Sequence, residues 1–244
     1  MSLTAEATEG LALCLTAATI GVVHTLLGPD HYMPFVAMSR AGDWSLRKTL
    51  RVTTGCGLAH VTGSVVIGFV GIALGMAVMR LETLEAFRGD VAAWLMIGFG
   101  LIYTTWGLAK TARPHDHVHS CGDNARRSHL HSYDRSHRHV QGSPKSAAMA
   151  TPVWSPWLLF LVFAFGPCEP LIPLLMVPAS RANWWAVAAV TVAFTAATIL
   201  TMAAAVLVLN GGASLLPASG LQRYAHAIAG IAILACGVLI TLGL

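Results

Sequence analysis

Charge is what this sequence has least of: only 11% of its 244 residues are Asp, Glu, Lys or Arg, against about 25% in an ordinary soluble domain. A water-facing surface cannot be built from so few, and they are gathered into short segments between long uncharged runs. That excludes a soluble globular protein. Cysteine is scarce too: Cys14, Cys56, Cys121, Cys168 and Cys236 are odd in number and show no paired spacing of a disulfide framework. There is no phosphate-binding glycine loop with its lysine and no Ser/His/Asp order of a hydrolase. Neither an ATP-driven pump nor a protease is indicated; no enzymatic activity, resident cofactor or nucleic-acid partner is expected.

What is present is apolar: 55% of the residues are hydrophobic. The uncharged runs are Gly10–Pro29, Val52–Met79, Val91–Ala109, Ser146–Cys168 with its continuation to Ser180, Ala182–Gln222 and Tyr224–Leu244. Most are about one bilayer crossing long. Asn210-Gly211-Gly212 has the turn chemistry that ends a helix and divides the longest run. The expectation is an all-α polytopic membrane protein with six transmembrane helices, near Leu11–Ser39, Leu50–Met79, Val91–Ala109, Trp154–Ala179, Trp184–Leu209 and Leu221–Leu244. Glu6 and Glu9 precede the first run without Lys or Arg, the reverse of a signal-peptide start, so the first helix is expected to be retained.

With six crossings, twelve of the fifteen Lys and Arg fall on one side. The positive-inside rule then places both termini outside and the long polar loop in the cytoplasm, in a bacterial-type cytoplasmic (inner) membrane. The chain reads as a first three-helix repeat over 1–110, a His-rich loop over 111–150 and a second three-helix repeat over 151–244. An odd number of helices per half makes the halves run oppositely through the membrane, the layout of inverted-repeat transporters.

One place supports the repeat. Helix 1 carries Gly28-Pro29-Asp30-His31-Tyr32-Met33-Pro34 and helix 4 carries Gly166-Pro167-Cys168-Glu169-Pro170-Leu171-Ile172-Pro173. Each is a Gly-Pro with another proline close behind, so both helices should break near mid-membrane and free backbone groups there. Paired breaks of this kind mark substrate sites in transporters.

Ionisable residues within the apolar runs are costly and therefore functional candidates. His24 and His31 stand two helical turns apart, expected to share a face, with Asp30 beside them; they are the primary metal-site candidates. His60, Cys168 and Glu169 are secondary candidates. A single membrane histidine such as His60 or His226 can equally serve to hydrogen-bond a backbone group. Two imidazoles and one carboxylate suit nickel, cobalt, copper or zinc, whereas magnesium or calcium would want more oxygens. The buried ionisable groups are read as two carboxylates without Lys or Arg, which disfavours an anion exporter.

The loop holds seven of the eleven histidines: His115, His117, His119, His129, His131, His137 and His139. It has almost no large apolar residue, so it is expected to be disordered or to wrap a metal ion as a buffer or sensor. Trp154, Trp157, Trp184 and Trp185 fall at helix ends, where indoles favour the membrane interface.

His24-Thr25-Leu26-Leu27-Gly28-Pro29-Asp30-His31 resembles the signature helix of the nickel/cobalt transporter superfamily, closest to its urease-accessory-type nickel permeases and nickel-cobalt efflux proteins. The resemblance implies transport of nickel or cobalt, about six helices in two repeats and often a His-rich cytoplasmic loop. That family's motif places four residues between its His and its Asp-His, where Thr25–Pro29 makes five here. Gly166-Pro167-Cys168-Glu169-Pro170 is similar to the transmembrane thiol-disulfide carriers of cytochrome maturation, which have one cysteine per repeat. Their electron transfer is the alternative reading, although Asp30 or His31 occupies the matching position of the first repeat. The expected partners are a divalent metal ion and the lipid bilayer, and a homo-oligomer is compatible with the pattern.

Overall fold

The computed structural model describes the backbone of residues 3–112, 115–121, 125–131, 154–166, 168–213 and 222–243, with side chains over 8–111, 157–166, 168–212 and 223–243. The candidates His137 and His139 lie outside the described residues.

Helix α1 (Leu3–Leu27) stops before Pro29, whose missing N–H and bulky ring cannot continue the ladder. The chain passes through an extended Gly28 and one 3-10 turn (Pro29–His31), then restarts as α2 (Met33–Ala41). Helix α3 (Leu46–Ala73) begins at Ser45, whose side chain accepts a hydrogen bond from the Lys48 N–H. It ends short of the expected Met79 because Gly75 takes a left-handed conformation at φ +63°.

Helix α4 (Val78–Ala112) is far longer than the uncharged run Val91–Ala109. The charged stretch before that run is helical because Leu81, Glu85, Ala92, Met96, Phe99 and Tyr103 recur at helical spacing and are all buried. Strands β1 (His115–Cys121) and β2 (Ala125–His131) form an antiparallel hairpin. The second interrupted helix is α5 (Trp154–Phe165) and α6 (Leu171–Ser180), parted around Gly166–Pro170.

Helix α7 (Trp184–Ala213) runs through Asn210-Gly211-Gly212, where the sequence predicts an end. Its last turns are tied down: the Asn210 side chain accepts from Ser39 Oγ at 2.9 Å, and the Asn210 carbonyl accepts from Arg40. Helix α8 (Ala225–Thr241) follows a 3-10 turn at Gln222–Tyr224.

This is a helical membrane protein. Among the described residues four helices are long and apolar enough to cross a bilayer, over Thr8–Leu27, Leu46–Ala73, Val78–Thr111 and Trp184–Gly212. Their outer faces carry exposed Leu58, Val66, Ile102, Leu200 and Val208, which suit lipid and not water. Trp157, Trp184 and Trp185 are exposed near helix starts, as an interfacial role requires.

The two halves of the chain pack mainly on each other. Helix α1 lies on α7, α2 on α8, and α3 on α5, α6 and α7. Helices α4 and α8 touch backbone to backbone: a Cβ would stand 2.5 Å from Leu234 N if placed on Gly100, and 2.5 Å from Ala227 N if placed on Gly107. A Cβ on Gly237 would stand 2.8 Å from Ala93 O. The pairs advance along α4 as they retreat along α8, so the two helices are antiparallel. Small residues allow the close approach that drives association where no hydrophobic effect operates.

Candidate metal centre

Both breaks open onto one buried cluster. The last turn of α1 supplies His24, the 3-10 turn supplies His31, the middle of α3 supplies His60, and the α5–α6 break supplies Cys168. Ligand atoms of His24, His60 and Cys168 all lie within 4.8 Å of one another. The His31 ring centroid is 4.7 Å from that of His24 and 5.1 Å from that of His60, edge-on to both.

The rings converge with their nitrogens unused. His24 Nε2, His31 Nε2 and both ring nitrogens of His60 are buried without a hydrogen-bond partner. Each such group costs about 1–3 kcal/mol when nothing replaces its water. His31 shows how one lone pair is aimed: its Nδ1 lies 3.1 Å from the Gly28 carbonyl and 3.3 Å from Asp30 Oδ1. With the proton held on that side, Nε2 presents its lone pair to the cluster, the carboxylate–histidine arrangement of metal sites.

The Gly of each Gly-Pro break is there for space. A Cβ on Gly28 would lie 2.5 Å from His31 Nδ1 and 2.8 Å from Asp30 Oδ1, and one on Gly166 would lie 2.8 Å from His60 Nδ1. Only a hydrogen fits between the broken backbone and these rings.

The sequence candidates fall into place unevenly. His24 and His31 do not share a helical face, because the helix breaks between them; the turn brings them together instead. Asp30 stands behind His31. His60 and Cys168 join His24 in the tightest group, while Glu169 is exposed and outside it. His115, His117 and His119 lie on β1, and His129 and His131 on β2.

His226 is a different kind of histidine. Its Nε2 is 2.9 Å from Lys110 Nζ and its Nδ1 is 2.8 Å from Tyr103 Oη, so both nitrogens are engaged.

Sequence reasoning missed Ser64, Glu85 and Arg88. Glu85 is fully buried and pairs with Arg88, whose side chain is only 13% exposed. The expectation of no Lys or Arg among the buried ionisable groups therefore fails at the largely buried Arg88, and among the described carboxylates Glu85 is buried, Asp30 half-buried and Glu169 exposed. Helical periodicity running from Leu81 through Glu85 into the apolar run was the signal that these charges belong to a packed helix.

Comparison with known protein families, with curated proteins and with solved structures finds no match. The donor set therefore has to speak for itself. Three imidazoles and a thiol are borderline-to-soft donors, which favour late first-row divalent ions over magnesium or calcium.

Proposed function

We propose that this protein carries a divalent transition-metal ion, nickel or cobalt, across a cytoplasmic membrane, with the ion as cargo at His24, His31, His60 and Cys168. The observation that carries this reading is the set of buried imidazole nitrogens without partners, converging from the first interrupted helix and from α3 on the thiol of the second. Asp30 orients His31 and offsets part of the ion's charge. The resemblance of His24–His31 to nickel/cobalt transporters agrees with that chemistry.

The reading includes six crossings arranged as two inverted repeats. It is supported by the exchange of helix partners between halves and by which ends meet. Arg40 meets Asn210 and Lys110 meets His226 at ends assigned to the cytoplasm, while Glu9 pairs with Arg181 at the opposite face. Alternating access would come from movement of the halves about the paired breaks. The His-rich segment, placed in the cytoplasm, would collect or receive the ion there. A thiol carrier would need a second sulfur facing Cys168; the groups gathered around that thiol are His24 and His60.

The test is flux of nickel and cobalt in proteoliposomes. Wild-type protein should move one or both ions, and His24→Ala, His31→Ala and His60→Ala should each fall to the level of empty vesicles while inserting normally. Near-normal flux in all three would contradict the assignment.

A further inference from the structure

An interrupted helix leaves carbonyls at the end of one piece and N–H groups at the start of the next, and in a membrane no water is at hand to satisfy them. At the α5–α6 break the partners come from elsewhere. Arg88 donates to Ala164 O at 3.0 Å and to Gly166 O at 3.1 Å, the free carbonyls at the end of α5. Glu85 Oε2 accepts from the Cys168 N–H at 3.0 Å, and Ser64 Oγ lies 3.2 Å from the same nitrogen. Ser64 donates to Glu85 at 2.9 Å, and Arg88 closes the network on Ser64 at 3.2 Å and on Glu85.

The signs are also right. A cation faces the C-terminal end of α5 and an anion the N-terminal side of α6, which is what the two half-helix dipoles favour. Because the charges are paired, neither stands alone in the apolar interior. Room for the guanidinium is provided by Gly63, where a Cβ would collide with Arg88 and stand 3.1 Å from Ala164 O.

We propose that Glu85 and Arg88 are positioning residues: from α4 they hold the α5–α6 break in the shape that delivers Cys168 and Gly166 to the imidazole cluster, and so set the ion preference of a site they do not touch. The bond from Glu85 fixes the Cys168 backbone, and the thiol direction follows from it. The two carbonyl bonds from Arg88 fix Gly166, against which the His60 ring rests. Ion preference follows because the thiolate is the softest donor of the set, and its distance from the imidazoles decides how strongly it competes with them. The preference half rests on the transport reading above; the bracing half does not.

The test uses full-length protein in detergent with Cys14, Cys56, Cys121 and Cys236 changed to serine, leaving Cys168. This parent is compared with Glu85→Gln, with Glu85→Ala/Arg88→Ala, which leaves no lone charge, and with Gly63→Ala, which keeps every charge but displaces the guanidinium. The first readout, without metal, is the rate at which N-ethylmaleimide alkylates Cys168. It should be slow in the parent and several-fold faster in each variant. The second is cobalt titration followed by the near-ultraviolet thiolate-to-cobalt absorption. Affinity should weaken by about 10- to 100-fold, the range for partners that orient metal ligands, and the thiolate band should lose intensity relative to the visible cobalt bands. Folded, monodisperse variants that alkylate at the parent rate and keep the parent band would overturn the proposal. A parent without any thiolate band would refute Cys168 as a ligand, and the alkylation rates alone would then decide the brace.

Discussion

The two interrupted helices have similar sequences and solve the same problem in different ways. The first break closes on itself: Gly28 N–H bonds to His24 O at 3.0 Å, His31 N–H to Gly28 O at 3.1 Å, and the Tyr32 hydroxyl to Leu26 O at 3.2 Å. Its charge, Asp30, is its own. The second break makes local bonds too, Gly166 N–H to Phe163 O and Leu171 N–H to Cys168 O, both at 3.0 Å, but its Ala164 and Gly166 carbonyls and its Cys168 N–H are satisfied by Ser64 of α3 and by Glu85 and Arg88 of α4. One is a self-contained turn that carries two of the imidazoles at its edges; the other is a seat held from outside that carries the thiol. Two Gly-Pro helix breaks can thus be alike in sequence while dividing ligand and support differently between them.

The comparison is most severely tested by filling the space at each glycine. Gly28→Ala pushes on His31 and Asp30 together, so metal affinity should fall by about 10- to 100-fold. Gly166→Ala presses on the His60 ring from a longer distance, with Phe163 O at 3.2 Å as its other neighbour, and should cost less. Isothermal titration with nickel and cobalt measures both, and equal losses would break the distinction. A smaller effect is expected of Cys168→Ser, which keeps size and a polar atom at the braced seat. Partial flux should survive with preference shifted away from the softer ion, and complete loss for every ion would show that the thiol is indispensable. The smallest effect on transport should come from His226→Phe. Flux should hold while unfolding free energy drops by about 1–2 kcal/mol for the two lost hydrogen bonds, as followed by denaturant titration in micelles. Loss of flux there would move the site.

Much of the first break was legible, because Gly28-Pro29 and its flanking His24, Asp30 and His31 all lie within one short stretch. The second was legible as a break but not as a braced one. Arg80, Glu82, Glu85, Arg88 and Asp90 look like a polar connection between apolar runs, and only the buried stripe continuing from Leu81 to Tyr103 makes them a helix. His60 and His226 show why lone residues resist sequence reading. Each is a single histidine in an apolar helix, yet one has no partner at either nitrogen and the other has two. The difference is made by neighbours more than a hundred residues away along the chain, Lys110 and Tyr103 against His226, and on the other side by the gathering of His24, His31 and Cys168 around His60. Local pattern cannot supply that.

The central claim is that imidazoles from both sides of the break, with one thiol, hold the same ion. X-ray absorption at the metal edge of nickel- or cobalt-loaded protein measures this most directly, with the His-rich loop over 115–139 deleted so that the membrane site alone is read. The account predicts a first shell of nitrogen donors with imidazole scattering and one sulfur. The sulfur should vanish in Cys168→Ser and one imidazole should vanish in His60→Ala. A shell of light donors without imidazole scattering, unchanged in both variants, would contradict it.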